Sequence, residues 1–139
     1  MNLIIKQAKI VDPTSSHHGK IVDIHISNGK IISIGKNLKA KGAREVALPQ
    51  LHVSPGWVDI FADFADPGFE FRETISSGAK AAAAGGFTTV CVMPNTNPVV
   101  DQKAVVEYII QKAKGLPVTV LPLGSITRNA EGKELAEMY

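Results

Sequence analysis

Acidic and amide side chains stand at the ends of two apolar segments of this 139-residue chain. Asp59, Asp63 and Asp66 lie in or directly after the segment WVDIFADF, and Asn95 follows FTTVCVM. Because carboxylate oxygens bind zinc as well as harder cations, Asp63 and Asp66 are candidate metal ligands. Side chains alternate along a strand, so Asp59 is expected on the same side as Phe61 and Asp63. The alternative is a structural role for these acids at a strand end or a subunit contact.

The other residue types that bind metals do not form a ligand set. His17 and His18 are adjacent, His25 is predicted on the exposed face of a strand, and His52 stands alone. Cys91 is the only cysteine, which excludes an intrachain disulfide and a cysteine-based zinc motif in this chain. We expect it to be a small buried hydrophobic residue. Such sparse cysteine usage favours a reducing cytoplasm.

Composition is that of a globular α/β protein. Hydrophobic residues make up 45% and charged residues 20%, with a formal net charge of +2. This charge is too small to indicate nucleic-acid binding, and no basic run is interleaved with aromatic residues. The N-terminal segment has charges inside its short apolar run, unlike a signal peptide, and no run approaches the ~20 apolar residues of a membrane span.

The first third of the chain has the pattern of short strands. Asn28-Gly29 joins IVDIHIS to KIISIG and predicts a type I′ hairpin turn, since both residues readily adopt positive φ. In the first arm, apolar residues alternate with polar ones, which predicts a buried face and an exposed face. The buried face holds Val22, Ile24 and Ile26, and the exposed face Asp23, His25 and Ser27. The pattern predicts a small antiparallel β domain.

After Ser54-Pro55-Gly56 the pattern changes to alternating strands and helices. A strand at WVDIFADF precedes a helix over residues 73–84, which Gly85-Gly86 ends. A strand at FTTVCVM follows, and Asp101 is the predicted N-cap of the next helix. That helix places five apolar residues on one face: Val105, Val106, Ile109, Ile110 and Ala113. A strand at VTVLPLG and a further helix near Glu131 complete the series.

This order predicts parallel βαβ units. Only about three units are present, whereas a closed (β/α)₈ barrel needs ~200–250 residues. We therefore expect the chain to be a fragment of a larger barrel.

The motifs of the second region resemble those of dihydroorotase, an enzyme of the amidohydrolase superfamily. The resemblance rests on Pro-Gly before a strand rich in Asp, on DPGFE, on the helix end AAAAGGFTT, and on MPNTNP. It implies the N-terminal part of a TIM-like (β/α)₈ metallo-dependent hydrolase barrel over residues 54–139. Residues 1–53 would form a small β-sandwich-like domain in front of it. In the family, zinc activates water for attack on a cyclic amide, interconverting dihydroorotate and carbamoyl-aspartate.

The chain departs from the family pattern at the end of the first barrel strand. The family has Asp-x-His-x-His-Phe-Arg, whereas this chain has Phe61, Asp63 and Ala65 in place of the two histidines and the arginine. Phenylalanine has no lone pair for a metal, and alanine cannot hold a substrate carboxylate. Asp63 remains a candidate ligand, and Asn95 matches the family asparagine that helps to bind the substrate carboxylate. Zinc is therefore expected to be absent or altered.

Two functions from different classes follow from the resemblance. The first is a non-catalytic homologue with an assembly role, with aspartate transcarbamoylase or a second copy of the chain as the partner. The second is an active dihydroorotase with an altered metal site, acting on dihydroorotate or carbamoyl-aspartate. A hydantoinase-like or allantoinase-like enzyme is disfavoured, because those relatives usually lack the PGFE and PNTNP motifs together. No nucleic acid or membrane partner is expected.

Overall fold

The computed structural model of the chain describes residues 1–137, which divide into two compact units after Pro55. The first unit holds five strands: β1 (Asn2–Ile10), β2 (Ile21–Ser27), β3 (Lys30–Gly35), β4 (Arg44–Ala47) and β5 (His52–Val53). They form one sheet in the order β3-β2-β1-β4, with β5 also paired to β1. The sheet is mixed rather than wholly antiparallel, because β4 and β5 both run parallel to β1.

The hairpin between β2 and β3 forms where the sequence predicts it. Asn28 and Gly29 both have positive φ, 50° and 76°, as a type I′ turn requires. Val22 and Ile24 are buried and Ile26 is half-buried. The apolar face of β2 therefore packs as the alternation predicts.

The prediction that Asp23 lies on an exposed face is wrong. Asp23 is buried, and its carboxylate accepts hydrogen bonds from the Lys6 ammonium and from the backbone amides of Gln7 and Leu38. Burial by itself would raise the pKa of Asp23, but these three donors outweigh it and hold the pKa below its usual value. The strand alternation fails here because Gln7 sits in a bulge of β1, with φ of 51°, that turns its amide toward the carboxylate.

The second unit begins the predicted parallel β/α series. It contains β6 (Trp57–Ala62), α1 (Ile75–Ala84), β7 (Phe87–Val92), α2 (Lys103–Lys112) and β8 (Thr119–Pro122). The strands pair in parallel in the order β6-β7-β8. Apolar residues of both helices and all three strands make one core, including Ile75, Val90 and Ile109. Neither helix among residues 1–137 has the length and apolar character that crossing a bilayer requires.

Helix α1 starts two residues later than predicted. Thr74 is the N-cap, and its hydroxyl accepts from the Ser77 amide at 3.0 Å while the Ser77 hydroxyl accepts from the Thr74 amide. Glu73 lies outside the helix and accepts a hydrogen bond from the Ser77 hydroxyl. At the other end, Gly86 has φ of 87°, the left-handed conformation expected after the last turn.

Two predictions in the last third of the chain are wrong. Asp101 is not the N-cap of α2, since Gln102 holds that position. The Asp101 carboxylate instead accepts a hydrogen bond from the Asn129 amide at 2.8 Å. The helix expected near Glu131 is a short 3₁₀ turn at Arg128–Ala130, and no α-helix follows it up to residue 137. On α2, Val105 and Ile109 are buried as predicted, whereas Ile110 is 43% exposed.

Gly78 sets how closely α1 approaches the end of β6. A Cβ atom at this position would lie 2.4 Å from Cε1 of the buried Phe64 ring. The absent side chain therefore allows Phe64 to pack directly against the helix backbone.

We expect Gly78→Ala to destabilise the protein by about 1–3 kcal/mol, because the added methyl group overpacks the contact with Phe64. Helix propensity alone predicts the opposite, a gain of about 1 kcal/mol. Urea unfolding of the full-length gene product measures the difference. Ser76→Ala, on the same helix, is the control and should leave stability nearly unchanged. A Gly78→Ala protein more stable than the original would disprove the contact.

Candidate functional site

The carboxyl ends of β6 and β7 bring two of the candidate residues together. At the ends of these strands, the Met93 amide donates to the Ala62 carbonyl at 3.0 Å, so the two segments of the chain remain side by side. Asp63 directly follows β6 and Asn95 follows β7. The Asn95 side-chain amide donates to Oδ1 of Asp63 at 3.1 Å.

Arg72 completes this cluster from the loop before α1. Its guanidinium donates to Oδ2 of Asp63 at 3.3 Å. Two turns hold the loop in place: the Phe69 amide donates to the Ala65 carbonyl, and the Arg72 amide to the Phe69 carbonyl. Each oxygen of Asp63 therefore has its own donor, from a different loop. The side chains of Arg72 and Asp63 remain 55% and 44% exposed.

Asp66, the other candidate metal ligand, is fully buried and is used in packing. Its carboxylate accepts from the Ile75 amide at the start of α1, at 3.1 Å. It also accepts from the Tyr108 hydroxyl at 3.1 Å and forms an ion pair with Lys112 at 2.8 Å, both on α2. The Lys112 ammonium in turn donates to the Tyr108 hydroxyl at 2.6 Å. These donors fill the carboxylate, which favours the alternative, a structural role for Asp66, over metal binding.

The ionisation of this pair follows from its contacts. Burial would raise the pKa of Asp66, but Lys112, the Ile75 amide and Tyr108 outweigh it and hold the pKa below its usual value. The hydrogen bonds to Asp66 and Tyr108 raise the pKa of Lys112. Both groups are charged near neutral pH, as an ion pair requires.

Comparison with known proteins shows the family to which the chain belongs. The family model described as dihydro-orotase-like matches residues 51–139. This chain belongs to the dihydro-orotase-like family. It is 44% identical to a protein named dihydroorotase from Aquifex aeolicus over 140 residues, which covers 100% of the chain and 33% of that relative. It is 50% identical to one from Geobacter sulfurreducens, covering 99% of the chain and 33% of the relative.

Solved structures agree on the fold. A D-hydantoinase crystal structure matches with a TM-score of 0.69 and 30% identity, over 93% of this chain and 29% of that one. A dihydroorotase crystal structure matches with a TM-score of 0.62 over 92% of this chain and 32% of that one, and at 14% identity it bears on the fold alone. The chain spans about a third of the length of the curated relatives it matches. The predicted fold class, the first part of a larger amidohydrolase barrel behind a β unit, is confirmed.

The residues at the end of β6 do not fit the zinc that the family implies. Phe61 offers no ligand atom, and its amide donates to Oδ1 of Asp59 at 2.9 Å. Both oxygens of Asp63 already accept from Asn95 and Arg72. Within residues 1–137, no three His, Cys, Asp or Glu side chains converge as metal ligands would. The donor set of this strand end is therefore that of a hydrogen-bonded cluster.

The sequence prediction missed the partners of both acids. Arg72 pairs with Asp63, which lies nine residues earlier in the chain. Lys112 and Tyr108 were not singled out, although their i, i+4 spacing on α2 places both on one helix face. That spacing was the available signal, but Asp66 is 46 residues from Lys112, and no local pattern connects them.

We expect Lys112→Met to destabilise the protein by about 1–3 kcal/mol, since it leaves the buried Asp66 carboxylate without its cation. Lys103→Met on the same helix is the control. It removes an exposed pair with Glu107 and should cost about 0.3–0.5 kcal/mol. Urea unfolding compares the two variants with the original protein. Equal losses would show that the Asp66 pair is no stronger than a surface pair.

Acid should weaken the same contact. Because the pKa of Asp66 is lowered by folding, its contribution is present above the unfolded pKa of about 3.9 and is lost as pH falls through the folded value. We expect stability to drop below about pH 5, with up to about 1.4 kcal/mol per pH unit from this one group. Urea unfolding measured between about pH 3 and pH 6 should show a flatter dependence of the free energy of unfolding on pH in Asp66→Asn than in the original protein. Asp63→Asn, which removes a half-exposed carboxylate, should keep the original slope; identical slopes in all three proteins would contradict the assignment.

Proposed function

We propose that the protein is a non-catalytic member of the dihydroorotase family that serves assembly in de novo pyrimidine biosynthesis. One observation carries the proposal: Phe61, Asp63 and Ala65 stand where the family pattern has two histidines and an arginine. The two losses fall on different tasks, metal binding and substrate binding. A single drifted position would leave one of them intact.

The charge at the strand end supports the same conclusion. Asp63 places a carboxylate beside Asn95, the residue that the family pattern assigns to the substrate carboxylate. Like charges repel, so an anionic dihydroorotate or carbamoyl-aspartate would meet Asp63 at the position where the family offers cations. Arg72 does not compensate, because its guanidinium is already paired with Asp63.

The packing residues, in contrast, are in place. Asp66, in the loop after β6, bonds to the start of α1 and to two side chains of α2. Gly78 leaves room for the Phe64 ring, and Thr74 caps α1. A chain that has these packing contacts but lacks the two histidines of the family pattern suits a role in assembly, which requires a folded surface and no metal. The proposed partner is an aspartate transcarbamoylase or a second copy of the chain.

The proposal predicts that the full-length gene product binds no stoichiometric zinc and does not cyclise carbamoyl-aspartate. Metal analysis after purification in zinc-containing buffer and a cyclisation assay measure both quantities. The dihydroorotase of Aquifex aeolicus, assayed in parallel, is the positive control. Zinc together with turnover would overturn the proposal in favour of the alternative, an active dihydroorotase with an altered metal site.

The assembly role has its own measurement. We expect the protein to co-elute with the aspartate transcarbamoylase of its own organism in size-exclusion chromatography, or to elute as a homo-oligomer. Elution as a monomer in the presence of the transcarbamoylase would contradict the role in assembly and would leave the question of catalysis to the first assay.

A further inference from the structure

Arg72 and Asn95 are two donors from different loops that point at one carboxylate. The donor atoms lie 3.3 Å and 3.1 Å from the two separate oxygens of Asp63. Together they donate to both oxygens of a single carboxylate group. Charge-assisted hydrogen bonds from a guanidinium and an amide are a common means of recognising a carboxylate.

We propose that Arg72 and Asn95 form a binding site for a small carboxylate, and that Asp63 occupies it as an internal ligand. Asp63 directly follows β6, whereas its two donors come from the loop before α1 and the loop after β7. Asp63 thus keeps external anions out of the strand end. This inference goes beyond the proposed function and does not depend on whether the protein is catalytic.

Tethering explains why the internal carboxylate prevails. A group held on the same chain competes at an effective concentration in the millimolar range or above, without the loss of free translation that an external anion suffers. The half-exposed position of the pair makes each hydrogen bond weak, so an external carboxylate gains little that would displace Asp63. Removing the Asp63 carboxylate reverses this balance, because both donors lose their partner.

The test is acetate binding to the full-length gene product labelled with ¹⁵N-arginine. The Arg72 side-chain N–H signal is followed during titration with sodium acetate, at an ionic strength held constant with sodium chloride. In Asp63→Ala we expect a saturable shift of this signal. Its dissociation constant for acetate should be about tenfold lower than that of the original protein. The shift should disappear in the double variant with Arg72→Met.

Three results would overturn the proposal. One is equal acetate binding by the original protein and Asp63→Ala; another is a folded Asp63→Ala protein without a saturable shift. The third is a shift that persists without Arg72. Asp63→Asn keeps the size of the side chain and should also release Arg72 to acetate, so it replaces Asp63→Ala if that variant does not fold. Asp59→Ala, which removes a carboxylate bonded to the Phe61 amide, is the matched control and should bind no acetate.

The outcome is distinguishable from that of the proposed function. Acetate binding reports on three side chains and needs neither zinc nor turnover. A failure here leaves the non-catalytic assignment standing, and turnover in the cyclisation assay leaves the acetate result standing.

Discussion

A carboxylate with no exposed surface must obtain from the protein every hydrogen bond that water would have given it. Asp66 obtains them from the start of α1, through the Ile75 amide, and from the last turns of α2, through Tyr108 and Lys112. One side chain in the loop after β6 thus contacts the start of the first helix and the last turns of the second. Because Lys112 is itself part-exposed, its charge is kept in contact with water while its partner is buried. The parallel β/α series of this unit is assembled around that arrangement.

Three residues earlier, Asp63 has the same functional group and a different consequence. Its oxygens are also paired, with Arg72 and Asn95, but it is half-exposed, so the partners compete with water and the pairing adds little to stability. The two acids therefore differ in role because they differ in burial. Asp66 holds the helices in place, and Asp63 pairs with Arg72 and Asn95 at the strand end. A reading of the sequence that ranks both as candidate metal ligands cannot make this distinction, since the spacing does not reveal depth.

The sequence predicted those features that depend on neighbouring residues. The Asn28-Gly29 turn and the parallel β/α order follow from local propensity and periodicity, and both are present. The features that it did not predict depend on distant partners. Asp23 is buried because donors 15 to 17 residues away reach it, and Asp101 leaves the N-cap position to bind the amide of Asn129, 28 residues on. Alternation along a strand and capping preference describe a segment by itself and do not include such contacts.

Asn95 and Asp63 lie together at one edge of the sheet, since the carboxyl ends of neighbouring parallel strands meet there; the resemblance gives each residue separately. It did not indicate that they bond to each other, because the family has a histidine at the position of Asp63. A substitution that removes a ligand also creates a new partner for the residues around it. Arg72 and Asn95 contact the new carboxylate, so the site is reorganised rather than merely depleted.

The positions that have changed and those that are kept differ in what they support. Phe61 is 71% exposed and Asp63 is half-exposed among the described residues, and neither side chain belongs to the core that these residues form. Phe64 and Asp66, on the same segment, are buried and carry the contacts with the helices. Exposed and buried positions thus alternate over residues 61–64, and the departures from the family pattern at 61 and 63 fall on the exposed ones. Ala65 is the exception: it is buried, although the family pattern has an arginine at this position. Restoring the family pattern would therefore require room for an arginine at this buried position as well as two histidines.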